Sequence, residues 1–275
     1  MRDEGRGPRG ERGKQGALAR SNQAVASPLV PRPSSLASPS SPLVPRPSPL
    51  SIVIPTLDEA AGIVALLEPL QALRARGIEI VLADGGSRDG TVAAATPLVD
   101  RVIAARRGRA SQMNSGAAVA AGDVLLFLHA DCTLPEYADH SILNGLAVSR
   151  RRWGRFDVAL SGAAIMLRIV ERAMNLRSRM TGICTGDQAL FVERTLFEAS
   201  GGFPDIELME DVAISRKLRK SGPPLCLSVT LVTSSRRWEK NGIWRTIVLM
   251  WRLRLAYFLG SEPRRLAELY HGRKK

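Results

Sequence analysis

A short apolar run that ends in a carboxylate limits the folds open to this chain more than any other feature. Residues 124–128 are five consecutive apolar residues, and His129, Ala130 and Asp131 follow them. Such a run is too short for a typical helix and is typical of a strand buried on both faces. Ligands gather at the carboxyl ends of parallel strands, so Asp131 is a candidate ligand for a divalent cation. A carboxylate that only caps the following turn is the alternative.

Two strands and a helix are predicted ahead of this run. The β-branched run at 50–56 predicts the first strand, and the apolar spacing from Ile63 to Leu73 predicts a helix that ends at Gly77. Residues 78–83 predict the second strand. Strands on either side of one helix form a parallel, right-handed βαβ unit, so Asp84 is expected at the same sheet edge as Asp131.

The loop after the second strand begins with Asp84 and Gly85. Glycine lets the backbone turn tightly and approach a ligand, and the carboxylate can accept hydrogen bonds from a ribose or a base. An ordinary loop with a capping aspartate explains the same residues.

Three arginines follow a short third strand at 101–104, and Arg109 is the last of them. They precede an alanine-rich helix whose small residues favour close packing. Arginines beside a helix N-terminus can bind a pyrophosphate, whereas a solvated basic loop is the simpler interpretation.

The net charge of +13 is confined to the two ends of the chain. Residues 1–50 contain eight basic and three acidic residues, residues 236–275 contain eleven and three, and the body between them is neutral. This distribution suits an anionic membrane surface or a phosphate-rich ligand at least as well as nucleic acid, and no nucleic-acid-binding motif accompanies it. We therefore expect no nucleic-acid partner.

Composition also predicts the compartment and the domain limits. Three widely spaced cysteines, no long uncharged apolar stretch and no signal-peptide pattern predict a cytoplasmic protein. Residues 1–49 hold nine of the seventeen prolines and contain one octet twice, which predicts a disordered tail. The folded domain is expected at 50–260, and 261–275 is expected to be a basic tail.

Four motifs occur in a recognisable order. They are Ile-Pro-Thr-Leu-Asp-Glu at 54–59, Asp-Gly-Gly-Ser-Arg-Asp-Gly-Thr at 84–91, Gly-Arg-Ala-Ser-Gln-Met-Asn-Ser-Gly at 108–116 and His-Ala-Asp at 129–131. Together they resemble the family 2 glycosyltransferases with a GT-A fold. The resemblance implies a single α/β, Rossmann-like domain with a mostly parallel central sheet. It also implies a UDP- or GDP-sugar donor and a divalent cation, Mg²⁺ or Mn²⁺.

The same resemblance assigns residues to a donor site. They are Pro55, Glu59, Asp84, Gly85, Arg109, Asn114, Asp131 and Arg237. Asp131 matches the last acid of the family's Asp-x-Asp metal motif, and His129 stands where the first acid would be. Because hard cations prefer oxygen ligands, we expect His129 to pack or support the site rather than to bind the metal.

The second half of the chain resembles the family's acceptor side. Glu210 and Asp211 follow Gly-Gly-Phe-Pro and match its Glu-Asp motif, in which Asp211 would deprotonate an attacking hydroxyl. Acidic residues in a first helical turn also simply complement the helix dipole. Residues 234–238 resemble a shortened Gln-x-x-Arg-Trp motif, in which Arg237 would pair with the departing diphosphate. The acceptor residues implied are Gly186, Asp187, Gln188 and Trp238.

Within the family, the resemblance is greatest to compact bacterial glycosyltransferases of arsenosugar biosynthesis that accompany radical SAM proteins. A weaker likeness to carotenoid-acid glycosyltransferases keeps small-molecule and lipid acceptors open. A sugar nucleotidyltransferase would need a glycine-rich phosphate loop after the first strand, where residues 58–61 supply none. A non-catalytic basic binding protein would not need Asp131 and Asp211 at their positions.

The segment 243–259 predicts a helix that either packs on the domain or touches an anionic membrane face. Three arginines argue against a spanning helix. Arg245 and Arg252 share one side, whereas Arg254 points nearly opposite, so the amphipathic pattern is imperfect.

Overall fold

A computed structural model describes residues 48–271 of this protein. The chain divides into two units, Met1–Val44 and Pro45–Lys275, and every described residue belongs to the second. The predicted disordered tail therefore lies outside the described residues except for Ser48 and Pro49. Pro49 already accepts a backbone hydrogen bond from Val124 (3.2 Å), so the ordered domain begins slightly before residue 50.

Strands and helices alternate through the first half and then become less regular. The strands are β1 (Leu50–Thr56), β2 (Glu79–Asp84), β3 (Arg101–Ala104), β4 (Val124–Phe127), β5 (Cys132–Thr133), β6 (Trp153–Leu160), β7 (Phe191–Glu193) and β8 (Leu225–Thr233). The α-helices are α1 (Ile63–Leu67), α2 (Gln71–Ala75), α3 (Thr91–Ala95), α4 (Arg109–Val119), α5 (Ala138–Ser149), α6 (Ile165–Thr181), α7 (Arg194–Ala199), α8 (Glu210–Leu218), α9 (Arg236–Asn241), α10 (Ile243–Phe258) and α11 (Pro263–His271). Short 3₁₀ turns lie at Thr96–Leu98, Gly186–Gln188 and Arg219–Ser221.

All eight strands form one sheet, with the strand order β3-β2-β1-β4-β7-β6-β8-β5. Strands β3, β2, β1 and β4 are mutually parallel, whereas β7 runs antiparallel to both β4 and β6. Thr56 pairs with Asp84, and Asp84 pairs with Ala104, so the loops after these strands leave the sheet at one edge. The expected single α/β domain with a mostly parallel sheet is thus confirmed.

Both faces of the parallel half are covered, as its continuous apolar strands predict. In β1, Ile52 and Ile54 pack into one apolar cluster, while Val53 between them packs into another on the opposite face. Helix α4 packs closely against the second face of the sheet. A side chain at Gly116 would overlap Val53, so the small residues of this helix do permit the close packing expected of them.

Two sequence expectations need correction. The apolar spacing from Ile63 to Leu73 predicted one helix, but the structure forms α1 and α2 with a break around Pro69. Proline lacks an N–H and clashes with the preceding helical turn, which the spacing alone did not weigh. The segment 261–275, expected to be a basic tail, includes α11, whose Leu266 is buried.

Candidate active site

A cleft of about 690 Å³ opens at the carboxyl edge of the parallel strands. We call it the large cleft. Five of the predicted donor residues line it, namely Pro55, Glu59, Arg109, Asp131 and Arg237. Pro55 lies on β1 and Arg109 begins α4, whereas Asp131 follows β4 and Arg237 belongs to α9. Strand ends and a helix start therefore bring together residues that are up to 182 positions apart in the sequence.

Positive charge dominates the walls of the large cleft. Its basic residues are Arg107, Arg109, Arg236, Arg237 and Lys240. Burial, and next the nearby Arg109, lower the pKa of Arg237, whose guanidinium lies 3.9 Å from the centre of the Tyr270 ring. Such a group of cations, placed at the start of α4, suits the phosphates of a nucleotide.

Three acidic residues, Glu59, Asp131 and Glu207, oppose these cations within the large cleft. Burial raises the pKa of Glu59, and the charge of Asp131 raises it further. The Asp131 side chain is exposed, and the contact found for it is the Cys132 thiol at 3.6 Å. Its backbone carbonyl is fixed by the amide of Ser234 at 3.0 Å.

Asp131 fits a divalent cation as a single oxygen ligand. Between residues 48 and 271, no three His, Cys, Asp or Glu side chains converge on one point. Mg²⁺ commonly uses one or two carboxylates and completes its shell with water and substrate phosphates. An exposed carboxylate facing a cationic cleft has the chemistry for that arrangement.

A smaller cavity of about 80 Å³ adjoins the large cleft. We call it the small cavity. The two spaces share Arg109, His129 and Leu208 as a common wall. The small cavity also contains Asp187, Glu210, Asp211 and Arg254. A group held in the large cleft would therefore lie next to residues that also border the space containing these carboxylates.

Asp211 stands in the first turn of α8 with its carboxylate held by backbone donors. The amide of Gly186 donates to one oxygen at 2.8 Å, and the Asp211 side chain also accepts from the amide of Val212 at 2.7 Å. Each carboxylate oxygen can accept a second hydrogen bond. Asp211 is thus oriented and still has capacity to accept a proton.

Glu210, beside it, is buried and behaves differently. Burial, and then the charge of Asp211, raise the pKa of Glu210 to about 7, although Arg109 opposes the shift from 3.9 Å. Burial likewise raises the pKa of Asp187 to about 6. The small cavity therefore holds carboxyl groups that can exchange protons near neutral pH.

His129 is the central residue of the shared wall. Burial, followed by the charge of Arg109, lowers its pKa to about 4, so the imidazole is neutral at physiological pH. A side chain at Gly186 would overlap the His129 ring. This contact supports the expectation that His129 packs within the site, and it gives Gly186 a steric role that the sequence did not indicate.

Asp84 and Gly85 lie beside the large cleft rather than in its walls. The Asp84 carboxylate accepts hydrogen bonds from the amides of Gly86 (2.9 Å) and Ser87 (3.0 Å) and from the Ser87 hydroxyl (2.5 Å). Gly85 leaves room for Gln112, whose amide donates to Thr56 and binds the ends of β1 and β2. The capping interpretation of Asp84 therefore describes its contacts in this structure.

Three other residues assigned from the sequence make contacts within the fold and line neither space. The Asn114 amide donates to the carbonyl of Phe203 at 2.8 Å and accepts from its N–H at 3.0 Å, so Asn114 joins α4 to the Gly-Gly-Phe-Pro turn. Gln188 is fully buried and closes its own 3₁₀ turn by a capping interaction with Thr185. Trp238 packs on the apolar cluster of β6 and α6, away from both spaces.

The sequence also left useful residues unassigned. Arg254 lines the small cavity, where burial lowers its pKa and the charges of Asp211 and Asp187 oppose that shift. Burial, and then Arg254, lower the pKa of neighbouring Arg177 to about 10. The signal for Arg254 was its position opposite the other arginines of α10. The charge of Asp211 acts on both guanidinium groups and opposes the lowering of their pKa.

Part of the chain is similar in sequence to known glycosyltransferases. Residues 51–151 match the family model described as glycosyl transferase family 2. The chain is also similar to the PGL/p-HBAD biosynthesis glycosyltransferase of Mycobacterium tuberculosis, at 41% identity over 93 residues. That match covers 31% of this chain, and the chain spans only 36% of the length of that curated relative.

Solved structures show the same fold at low identity. One is the mannosyltransferase PcManGT from Pyrobaculum calidifontis in complex with GDP-Man and Mn²⁺, with a TM-score of 0.55, 22% identity, and coverage of 85% of this chain and 74% of that one. Another is TarS 1–349 of S. aureus in complex with UDP-GlcNAc, with a TM-score of 0.57, 17% identity, and coverage of 67% and 58%. These similarities confirm the expected GT-A-like architecture.

Proposed function

We propose that this chain, whose residues 51–151 match the glycosyl transferase family 2 model, transfers a sugar from a nucleotide-diphosphate donor to an acceptor hydroxyl with inversion. The observation that carries the proposal is the wall shared by the large cleft and the small cavity. A diphosphate among the arginines of the large cleft would place the sugar beside that wall. Asp211 would then line the adjoining space, from which an acceptor hydroxyl could reach that sugar.

The donor assignment rests on charge and on the sheet edge. Arg109 and Arg237 would pair with the diphosphate, and Pro55 and Glu59 would border the nucleoside. Asp131 would hold Mg²⁺ or Mn²⁺, and a bound cation would supply charge neutralisation for the phosphates. A UDP- or GDP-sugar is the proposed donor class, in keeping with the ligands of the two structural neighbours.

The proposed chemistry is one displacement. The acceptor hydroxyl oxygen forms a bond to the anomeric carbon as the bond from that carbon to the diphosphate breaks. The hydroxyl proton passes to Asp211, and the nucleoside diphosphate leaves with its electron pair. Arg109 and Arg237 stabilise the negative charge that develops on the leaving group. Attack from the opposite face inverts the anomeric centre.

Glu210 takes a supporting role in this proposal. With a pKa of about 7, roughly half of the Glu210 side chains are protonated at neutral pH, which lowers charge repulsion with Asp211. Asp211 is preferred as the base because its carboxylate is oriented by two backbone amides, whereas Glu210 is buried and faces Arg109.

Acceptor identity is proposed only at the level of class. Met250, Leu253 and Tyr270 give the small cavity apolar surface beside its charges, which suits a small molecule or the head of a lipid. A role in arsenosugar biosynthesis rests on the sequence resemblance alone.

The alternative of a sugar nucleotidyltransferase loses support from the loop after β1. Such an enzyme would need free backbone amides there for its phosphates. The amides of Asp58, Glu59 and Ala60 instead donate to Ser87, Thr91 and Asp89, at 2.9, 2.8 and 2.9 Å.

A donor screen tests the proposal. The full chain would be incubated with UDP-GlcNAc, GDP-Man and other UDP- and GDP-sugars, with and without Mn²⁺, and nucleotide release would be measured beside calorimetric binding of UDP and GDP. We expect one base to bind in a cation-dependent way and its sugar donor to be consumed. The absence of both nucleotide binding and donor consumption would contradict the proposed function.

A further inference from the structure

One face of α10 exposes large apolar side chains along its whole length. Trp244, Val248, Trp251, Leu255 and Phe258 are each between 53% and 73% exposed. At about 100° per residue they fall within an arc of roughly 80°. We call these five residues the apolar stripe. The opposite side of the helix is buried, as Thr246 and Leu253 show.

The three arginines of α10 differ in where they lie relative to this stripe. Arg245 and Arg252 lie at one border of it, about 40° or more from its nearest member. Arg254, which makes the sequence pattern imperfect, instead lines the small cavity. Once Arg254 is assigned to the interior, the outer face of α10 is a continuous amphipathic surface. The helix contains no acidic residue.

A neighbouring helix has a similar exposed face. Ile165, Ile169, Leu176 and Met180 of α6 are exposed and fall within an arc of roughly 60°. The buried side of α6 shares an apolar cluster with Ile243 of α10. Exposed apolar surface on this scale generally marks a contact site.

We propose that the apolar stripe and its bordering arginines dock this protein onto an anionic membrane surface. Apolar side chains would enter the lipid interface while Arg245 and Arg252 meet acidic head groups. With 16 residues and three arginines, α10 suits a position along the surface rather than across the bilayer. Between residues 48 and 271, no helix has the length and apolar character needed to span a membrane.

A second copy of the chain fits the stripe less well. An isologous contact would bring two α10 helices together, each with exposed arginines and neither with a carboxylate to pair them. The positive charges of Arg245 and Arg252 are instead complementary to anionic lipid head groups.

Docking through α10 would also orient the site. Met250, Leu253 and Arg254, on the inner side of the helix, line the small cavity. The cavity would then lie about one helix diameter, roughly 10 Å, from the lipid surface. The docking proposal itself does not depend on glycosyl transfer, because it is tested by binding alone.

The test is co-sedimentation of the full chain with vesicles of neutral phosphatidylcholine and with vesicles that also contain phosphatidylglycerol. We expect binding to the anionic vesicles only, weakened by salt. The double substitution Trp251→Ser with Leu255→Ser should lower the partition coefficient at least about tenfold, because it removes two apolar anchors. Arg245→Gln with Arg252→Gln should lower it as well and reduce its dependence on salt.

Val148→Ser is the matched control, because Val148 is 86% exposed but belongs to α5. It should bind as the wild type does, and circular dichroism would verify that every variant is folded. Unchanged binding by the stripe variant would overturn the proposal, since the basic chain ends remain in that variant. Failure of the wild type to bind would also overturn it, as would a dimer in sedimentation equilibrium that the stripe variant makes monomeric.

Discussion

The two sides of the site are built in different ways. On the side of the large cleft, Pro55, Glu59, Arg109 and Asp131 each lie in or directly after a parallel strand, or at the start of the helix that follows one. On the side of the small cavity, Asp187, Asp211 and Arg254 come from a 3₁₀ turn and two helices far apart in sequence. The first side depends mainly on local strand and loop order, with Arg237 added from α9, whereas the second depends on packing between distant segments. Substitutions should therefore separate donor binding from proton transfer.

The largest effect is expected at Asp211. Asp211→Asn keeps the shape of the side chain but removes the proton acceptor, and its amide oxygen can accept only one of the two backbone hydrogen bonds, so turnover should fall by about 10²–10⁴-fold while nucleotide binding is retained. Steady-state kinetics with the donor found in the screen would measure this. Asp205→Asn, at an exposed carboxylate that pairs with Arg106, is the control and should retain full activity. Normal turnover in purified Asp211→Asn would remove this residue from the chemistry.

Asp131 should affect the other side. Asp131→Ala removes the proposed cation ligand, so the affinity for UDP or GDP in the presence of Mn²⁺ should fall at least about tenfold to a hundredfold. Calorimetric titration would measure the loss, and the fold should persist because the side chain is exposed. Asp123→Ala, at another exposed aspartate near β4, should bind as the wild type does. Equal affinity and equal metal dependence in Asp131→Ala would mean that the cation is held elsewhere or is not used.

The shared wall gives a third test. Gly186→Ala places a methyl group where it overlaps the His129 ring, so the ring must shift from its present packing and the free energy of unfolding should fall by about 1–3 kcal/mol. Urea denaturation would measure it. Gly62→Ala is matched to it because nothing lies within 4 Å of that position and its φ is −120°. If both variants were equally stable, the contact between Gly186 and His129 would not constrain the wall.

A smaller effect, dependent on pH, is expected at Glu210. Its pKa in the folded protein is raised from 4.5 to about 7, so the unfolded chain releases this proton first and stability falls as the pH rises through that interval. Glu210→Gln cannot titrate and should gain about 1–2 kcal/mol at pH 8. The gain should vanish near pH 4, where the carboxyl is protonated in both states. Urea denaturation at the two pH values measures the difference, and a gain of equal size at both would reject titration as its cause.

The sequence predicted the large-cleft side of the site better than the small-cavity side. The first strand, the third strand and the carboxylate of Asp131 were predictable, because a buried parallel strand is a short apolar run and its ligands come directly after it. The break at Pro69 was missed because apolar spacing was given more weight than backbone sterics.

Side-chain roles in the second half were harder to predict. Gln188 and Trp238 were assigned to an acceptor. In the structure, Gln188 makes a capping interaction with Thr185, and Trp238 packs against the apolar cluster of β6 and α6. Arg254 was visible only as an irregularity in a helical pattern. Which neighbours a side chain meets there depends on the packing of separate helices, and no local spacing encodes it.

The most direct test compares variants of Asp131 and Asp211 in one experiment. Cation-dependent nucleotide affinity and turnover would be determined together for Asp131→Ala and Asp211→Asn. If the large cleft holds the donor and the small cavity takes the acceptor proton, Asp131→Ala will lose affinity in the presence of Mn²⁺. Asp211→Asn will bind as the wild type does and turn over at least about a hundredfold more slowly. Loss of nucleotide affinity in Asp211→Asn, with unchanged affinity in Asp131→Ala, would contradict this division of the site.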